Sequence, residues 1–242
     1  MQHLLTKINN VIIILNKGFE MKIALVYTGV TPQLTYLVER EVKKQCGECE
    51  LITLKDPSII SEVAAANRVN TAPAARLVSM YMQAATMGAD AILNICSSVG
   101  EVADCAQSIA KYIGVPIVRI DELMCREAVR KGKTIGVMAT LSSTLNPTKN
   151  TVLRVAREMG KEVTLVDSLV EGGFGLDESQ FKELMKDYAQ KIAPKCDVIL
   201  FAQGSMAYCE EEIAKLTGKV VLSSPRFGAI DLRKALEEKG LL

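Results

Sequence analysis

The sequence predicts an α/β fold with two pseudo-symmetric lobes, each a parallel sheet flanked by helices, and an active site in the cleft between the lobes. The first observation is that short, apolar, β-branched runs alternate with stretches of helical spacing along the chain. Such fully apolar strands are typical of parallel sheets that helices cover on both faces. The second observation is that the two halves of the chain repeat one another. A length of 242 residues is enough for two lobes of this kind.

The first strand is predicted at Lys22–Tyr27, an apolar run that ends at a turn sequence. Similar short runs predict further strands at 50–54, 90–95, 117–120, 134–138, 163–166, 198–202 and 220–222. Helical spacing, with Pro73 at one helix start and Gly88 at its end, predicts helices at 34–44, 73–87, 99–112, 122–130 and 232–239. Asp121 and Glu122 are expected to cap the helix that follows them.

Three segments of the first half match three of the second half in the same order, namely 22–28 with 134–140, 90–99 with 197–206, and 114–118 with 218–222. The first match pairs Thr28 with Thr140, and the second pairs Cys96 with Gln203. The repeat predicts a first lobe of residues 21–118 plus 223–242 and a second lobe of residues 119–222. A general similarity among parallel strands is the alternative explanation.

The paired residues predict the position of the functional site. Parallel α/β sheets bind ligands at the carboxyl ends of their strands, so Thr28, Cys96, Thr140 and Gln203 are expected around one cleft. Cys96 ends a predicted strand, and the amino terminus of the helix that follows favours a thiolate there. Cys96 is therefore the candidate reactive group.

Composition excludes several classes of function. The only histidine is His3, so catalytic triads, Cys-His dyads and histidine-ligated metal sites are excluded, and no metal site is predicted. The formal net charge is +1, which argues against a nucleic-acid partner. No GxGxxG or Walker A motif occurs, which argues against a nucleotide cofactor. The seven cysteines are expected to be reduced thiols in a cytoplasmic protein, and the CxxC of Cys46 and Cys49 is expected to be incidental.

Residues 1–20 are predicted to be a non-native or misassigned extension. The codons of Lys17-Gly18 form a purine-rich tract like a ribosome-binding site, and Met21 stands directly before the first strand. The apolar run at 11–15 is too short to span a bilayer, and no signal-peptide cleavage site follows it. A cytoplasmic protein without a membrane partner is therefore expected.

Around these residues the sequence resembles the aspartate/glutamate/hydantoin racemase superfamily. The resemblance runs from Met21 to about Gly228, and its most specific segments are 89–99, 115–122, 135–144 and 200–207. It implies a cofactor-independent enzyme that acts at the carbon α to a carboxylate of a small amino acid or dicarboxylate. Because members of this superfamily are often dimers, it also implies a homodimer.

In these racemases two cysteines flank the α-carbon, one removing its proton as a thiolate and the other returning a proton to the opposite face. Cys96 matches the first position. Gln203 stands at the second, where an amide cannot exchange a proton at a useful pKa. The resemblance also implies carboxylate-binding roles for Thr28, Ser97, Ser98, Thr140, Ser143, Thr144, Gly204 and Ser205.

The substitution at Gln203 leaves several functions open. Racemisation would need another side chain or a water as the second acid or base. The superfamily also contains a decarboxylase that works with one thiol and a maleate cis–trans isomerase that uses its first-lobe cysteine as a nucleophile. A small-carboxylate binding protein without catalytic activity is the alternative from another class.

Overall fold

The computed structural model describes residues 21–173 and 175–242, and this part of the chain forms two four-stranded parallel sheets. The predicted extension at residues 1–20 lies outside the described residues. The first sheet has the order β2-β1-β3-β4, with β1 Lys22–Tyr27, β2 Glu50–Lys55, β3 Ala91–Ile95 and β4 Ile117–Arg119. The second has the order β6-β5-β7-β8, with β5 Thr134–Ala139, β6 Thr164–Leu169, β7 Val198–Phe201 and β8 Val220–Leu222.

Helices connect the strands and cover both sheets. In the described residues they are α1 Pro32–Cys46, α2 Pro57–Ala66, α3 Thr71–Thr86, α4 Gly100–Cys105, α5 Gln107–Ile113, α6 Glu122–Lys131, α7 Ser142–Glu158, α8 Glu178–Ile192, α9 Glu210–Thr217 and α10 Ser224–Glu238. Short 3₁₀ turns precede α4 and α9, at Ser97–Val99 and Gly204–Cys209. None of these helices has both the length and the apolar character needed to cross a membrane.

The two sheets share their strand order and their register. Ile23 lies beside Ala91 in the first sheet, and Ile135 lies beside Val198 in the second. These are the residues that the sequence repeat aligns with one another. The predicted fold class, an α/β fold with two parallel sheets, is therefore confirmed.

Each sheet is buried on both faces, as apolar strands require. On one face of the first sheet, Ile23 and Leu25 pack with Leu232 of α10. On the other face, Ala24 and Val26 pack against helices α2 and α3. The last helix of the chain thus packs on the first sheet, whereas the division at residues 118 and 223 stays a prediction.

Two predicted helices differ from the structure. The closing helix starts at Ser224 instead of residue 232, because Gly228 serves close packing and does not break the helix: a Cβ there would lie 2.9 Å from the Ile120 Cα. The helix predicted at 99–112 is divided into a 3₁₀ turn and two short helices that meet at Ala106.

A buried arginine joins the first sheet to the second lobe. Arg119, at the end of β4, donates to Asp121 at 3.0 and 3.1 Å and to Asp104 at 2.6 Å. It also donates to Thr151 Oγ1 of α7 at 2.9 Å. Asp121 was expected to cap α6, but its side chain makes no capping bond and binds the guanidinium instead.

Replacing Arg119 with methionine is expected to lower the free energy of unfolding by about 3–5 kcal/mol, because the Asp121 carboxylate would stay buried without its cation. Urea denaturation measures the change. Asp121 is 1% exposed, so water cannot substitute for the guanidinium.

Arg130→Met is the matched control, because Arg130 is exposed and its ion pair with Glu127 is 3.4 Å long. Its removal is expected to change the free energy by less than about 1 kcal/mol. Equal effects of the two substitutions would contradict a special role for the buried network.

Candidate active site

A cavity of about 310 Å³ lies where the carboxyl ends of the two sheets face one another. The first half of the chain contributes Gly29, Val30, Thr31, Leu34, Pro57, Ile60, Ser61, Ile95, Cys96, Ser97 and Ser98. The second half contributes Leu141, Thr144, Gln203, Gly204 and Ser205. Cys96 is the only titratable side chain among these lining residues, which makes it the natural centre of any proton chemistry here.

A larger groove of about 1210 Å³ lies at the opposite end of the second sheet, where its strands begin. Basic side chains such as Arg130, Lys133 and Arg157 line it. It contains none of the predicted site residues and no cysteine. The smaller cavity is therefore the candidate functional site.

The Cys96 thiol follows β3 and is half-buried, with hydrogen-bond donors around its sulfur. Burial is the largest influence and raises the thiol pKa. The Thr28 hydroxyl and the backbone N–H groups of Ser98 and Val99 lower that pKa, and the net result is a pKa above the usual value. The helix terminus thus acts in the predicted direction, but burial outweighs it. The resting group is a thiol with donors already placed for a developing negative charge.

Gln203 follows β7, the strand that corresponds to β3, and its amide is bound to Thr140. The Oε1 atom accepts from the Thr140 backbone N–H at 2.7 Å, and Nε2 donates to Thr140 Oγ1 at 2.8 Å. Thr140 therefore stands beside Gln203 as Thr28 stands beside Cys96. The amide cannot give up or take a proton at a useful pKa, so this half of the cavity holds a hydrogen-bonded dipole in place of a thiol.

Hydroxyl groups from both lobes meet near Cys96. Ser98 Oγ and Thr144 Oγ1 lie 2.7 Å apart and form a buried hydrogen bond between the two lobes. Ser97 is 4% exposed, lines the cavity, and its hydroxyl has no hydrogen-bond partner. Because a buried hydroxyl is normally bonded, this one is available to a ligand oxygen.

The structure places the other predicted binding residues at different distances from the cavity. Gly204 and Ser205 line it directly. Thr28 and Ser143 are buried outside the lining; the Ser143 hydroxyl has no hydrogen-bond partner, whereas the Thr28 hydroxyl lies beside the Cys96 sulfur. Thr140 lines an adjacent cavity of about 190 Å³, which shares Thr31, Gln203 and Ser205 with the first.

The glycine-rich segment at 172–175 borders this adjacent cavity through Gly173 and Gly175. Phe174 lies outside the described residues. Asn67 accepts a hydrogen bond from Ser142 Oγ at 2.9 Å, and Arg68 donates to Asn70 Oδ1 at 3.0 Å. Neither Asn67 nor Arg68 lines the Cys96 cavity.

The apolar side of the cavity was missed by the sequence analysis. Leu34 of α1, Ile60 of α2 and Leu141 before α7 all line it. Apolar residues of these types occur on most helix faces, so the sequence does not mark them as cavity residues. Thr31, whose hydroxyl accepts the Leu34 N–H at 3.1 Å, is recognisable from the sequence only as a helix cap.

No other cysteine among the described residues lines the cavity. Cys209, six residues beyond Gln203, is buried in the core of the second lobe, where burial raises its pKa to about 12. It cannot replace a second catalytic thiol. The described residues also hold no cluster of three or more histidine, cysteine or acidic side chains fit for a metal ion.

Comparison with known proteins assigns the family. The model of the Asp/Glu/Hydantoin racemase family matches residues 23–229. The chain belongs to this family, and the resemblance predicted from its sequence is confirmed. No curated protein sequence matches the chain significantly.

Solved structures of racemases share the fold. A glutamate racemase isoform from Bacillus anthracis has a TM-score of 0.70 at 17% identity, covering 93% of this chain and 84% of that one. An allantoin racemase from Klebsiella pneumoniae has a TM-score of 0.66 at 12% identity, with 91% and 89% covered. The Picrophilus torridus aspartate racemase has a TM-score of 0.64 at 13% identity, with 91% and 94% covered.

Thr28→Val is expected to shift the alkylation profile of Cys96 to higher pH. The thiolate is the reactive form, and loss of the hydroxyl removes a group that lowers the thiol pKa. Iodoacetamide labelling as a function of pH, read at the Cys96 peptide by mass spectrometry, measures the shift. Thr140→Val is the control, because its hydroxyl binds Gln203 and should leave the profile unchanged. A shift of the same size in both variants would contradict the assignment.

Proposed function

We propose that the protein is a cofactor-independent enzyme of the racemase and isomerase type that acts at the carbon α to a carboxylate of a small substrate, with Cys96 as its acid–base or nucleophilic group. The observation that carries the proposal is that Cys96 is the only titratable side chain lining a cavity between the two sheets. Family membership and the fold shared with glutamate, aspartate and allantoin racemases support it.

If the protein is a racemase, the Cys96 thiolate removes the α-proton of the substrate and becomes a thiol. The electron pair of the broken C–H bond moves onto the substrate carboxylate, which becomes an enediolate. The Ser97 hydroxyl and the hydroxyls of Ser98 and Thr144 stand beside this position and can donate to the developing charge. Return of the proton by Cys96 gives the starting configuration. Inversion requires a donor on the other face.

Gln203 supports a second candidate, in which the chemistry occurs on one face only. Its amide is bound to Thr140 and cannot donate to a carbanion. Decarboxylation suits this arrangement: CO₂ leaves, its bonding electrons form an enediolate, and the Cys96 thiol protonates the carbon. Cis–trans isomerisation of an unsaturated diacid, with Cys96 adding to the double bond and leaving again, is equally compatible with a single thiol.

The proposal includes a homodimer, taken from the family resemblance, and a cytoplasmic location, expected from the sequence. Light scattering on the purified protein tests the dimer. Binding of a small carboxylate without turnover is the competing function, and it predicts that wild type and Cys96→Ala bind the ligand equally.

Cys96→Ala is expected to lower exchange or turnover by about 10²–10⁴-fold, because it removes the group that carries the proton. Proton NMR in D₂O with aspartate, glutamate, hydantoins, maleate and an arylmalonate measures both quantities. Thr217→Ala is the control variant, since this residue ends a helix away from the cavity. Equal rates for wild type and Cys96→Ala would overturn the proposal.

Gln203→Cys places a thiol opposite Cys96 and is expected to add inversion to a protein that shows only one-sided exchange or decarboxylation. Chiral chromatography of the recovered substrate measures the inversion. Rapid inversion by the wild type would instead reject the one-face candidate and require another donor near Gln203.

A further inference from the structure

We propose that the Cys96 cavity selects a substrate with one carboxylate and an apolar substituent on the reacting carbon. The inference rests on the proposed function in taking this cavity as the substrate site. It goes further by assigning the chemical class of the substituent and the side chains that bind it.

The cavity lining carries no charged side chain. None of the described residues that line it is Lys, Arg, Asp, Glu or His. A second carboxylate or an ammonium group on the substrate would give up water here without meeting a counter-ion, which is unfavourable in a buried site. The lining therefore disfavours dicarboxylates and zwitterions relative to singly charged acids.

The polar groups beside Cys96 can bind one carboxylate. Ser97 has a buried hydroxyl without a partner, and the Ser98 and Thr144 hydroxyls form their bond next to it. Gly204 and Ser205 add a polar backbone and a hydroxyl from the second lobe. Neutral donors of this kind bind one anionic group without needing a cation.

Leu34, Ile60 and Leu141 form the apolar wall of the cavity. Two of these side chains pack against glycine backbone. A Cβ built on Gly29 would lie 3.3 Å from Ile60 Cγ2, and one built on Gly204 would lie 3.0 Å from Leu34 Cδ1. Both aliphatic side chains thus lie directly over glycine backbone at the cavity.

A hydrogen bond connects the two segments that carry Ile60 and Leu141. Ser142 Oγ, at the start of α7, donates to Asn67 Oδ1, at the end of α2, at 2.9 Å. It links the helix that carries Ile60 to the segment that carries Leu141, so both side chains line the same cavity. A phenyl ring or branched alkyl chain placed against them would bury apolar surface on each side.

The size of the cavity agrees with this class. About 310 Å³ lies near the lower limit of small-molecule sites, which is about 300 Å³. The space therefore suits a small acid with one compact substituent.

Protection of Cys96 from alkylation tests the inference without requiring turnover. Phenylacetate is the singly charged apolar probe, and succinate is the doubly charged polar probe. At about pH 9, where a thiol reacts measurably, saturating phenylacetate is expected to slow Cys96 labelling by iodoacetamide about fivefold, whereas succinate leaves it nearly unchanged. Cys105, which is exposed, is the internal control in the same mass spectra.

Ile60→Asn is expected to abolish protection by phenylacetate, because it places an amide in the apolar wall. Ile109→Asn is the matched control, since Ile109 is 44% exposed and lies outside the cavity. Leu141→Ala is a second wall variant, to be used if Ile60→Asn does not fold. Protection by phenylacetate that survives a folded wall variant would overturn the inference.

Equal protection by the two probes, or protection by neither, would also overturn the proposed selectivity. The exchange assay separates this result from the proposed function. If phenylacetate protects Cys96 while no substrate reacts, the selectivity stands and the catalytic proposal fails. If aspartate or glutamate reacts rapidly and Cys96-dependently while phenylacetate gives no protection, the catalytic proposal stands and the selectivity fails.

Discussion

The Arg119 guanidinium is the interaction on which the arrangement of the site depends. It lies at the end of β4, 4% exposed, and binds two aspartates and Thr151 of α7. It also packs on Gly100 so closely that a Cβ there would lie 2.3 Å from Nη2. Gly100 begins the helix that follows Cys96. The Arg119 side chain therefore contacts the segment that carries the backbone N–H donors of the thiol, and it also binds Thr151 of the second lobe. A buried charge held by several partners suits this role, because each partner restricts the position of the others.

The duplicated framework explains how two different groups come to lie at equivalent positions. An aspartate before the third strand of each sheet, Asp90 or Asp197, accepts backbone N–H groups from the start of the first strand. This shared contact and the shared register place Ala91 and Val198 at equivalent positions of the two sheets. Cys96 and Gln203, each at the same distance along the chain from these residues, therefore also lie at equivalent positions. The geometry is symmetric while the chemistry is not, since only one of the two positions can carry a proton.

The sequence predicted the strands, the repeat and the residues after each strand because these depend on local pattern and on rules common to all parallel sheets. The apolar wall of the cavity depends on how the helices pack on the sheets, and this packing cannot be predicted from the residue types of Ile60 and Leu141 alone. The net pKa direction of Cys96 was equally out of reach, because it is a difference between burial and several donors. The early start of the last helix was missed because Gly228 looks like a helix breaker until its contact with Ile120 is known.

The raised pKa of Cys96 and the amide at Gln203 favour the same kind of chemistry. A group that is protonated at neutral pH begins a reaction as an acid, and deprotonating it first adds to the barrier of any step in which it acts as a base. A substrate carboxylate bound beside the sulfur raises that pKa further, because like charges oppose ionisation. An uncharged lining offers no cation to reverse this effect. Protonation of a carbanion that forms by loss of another group meets none of these obstacles, so we infer that Cys96 acts first as an acid.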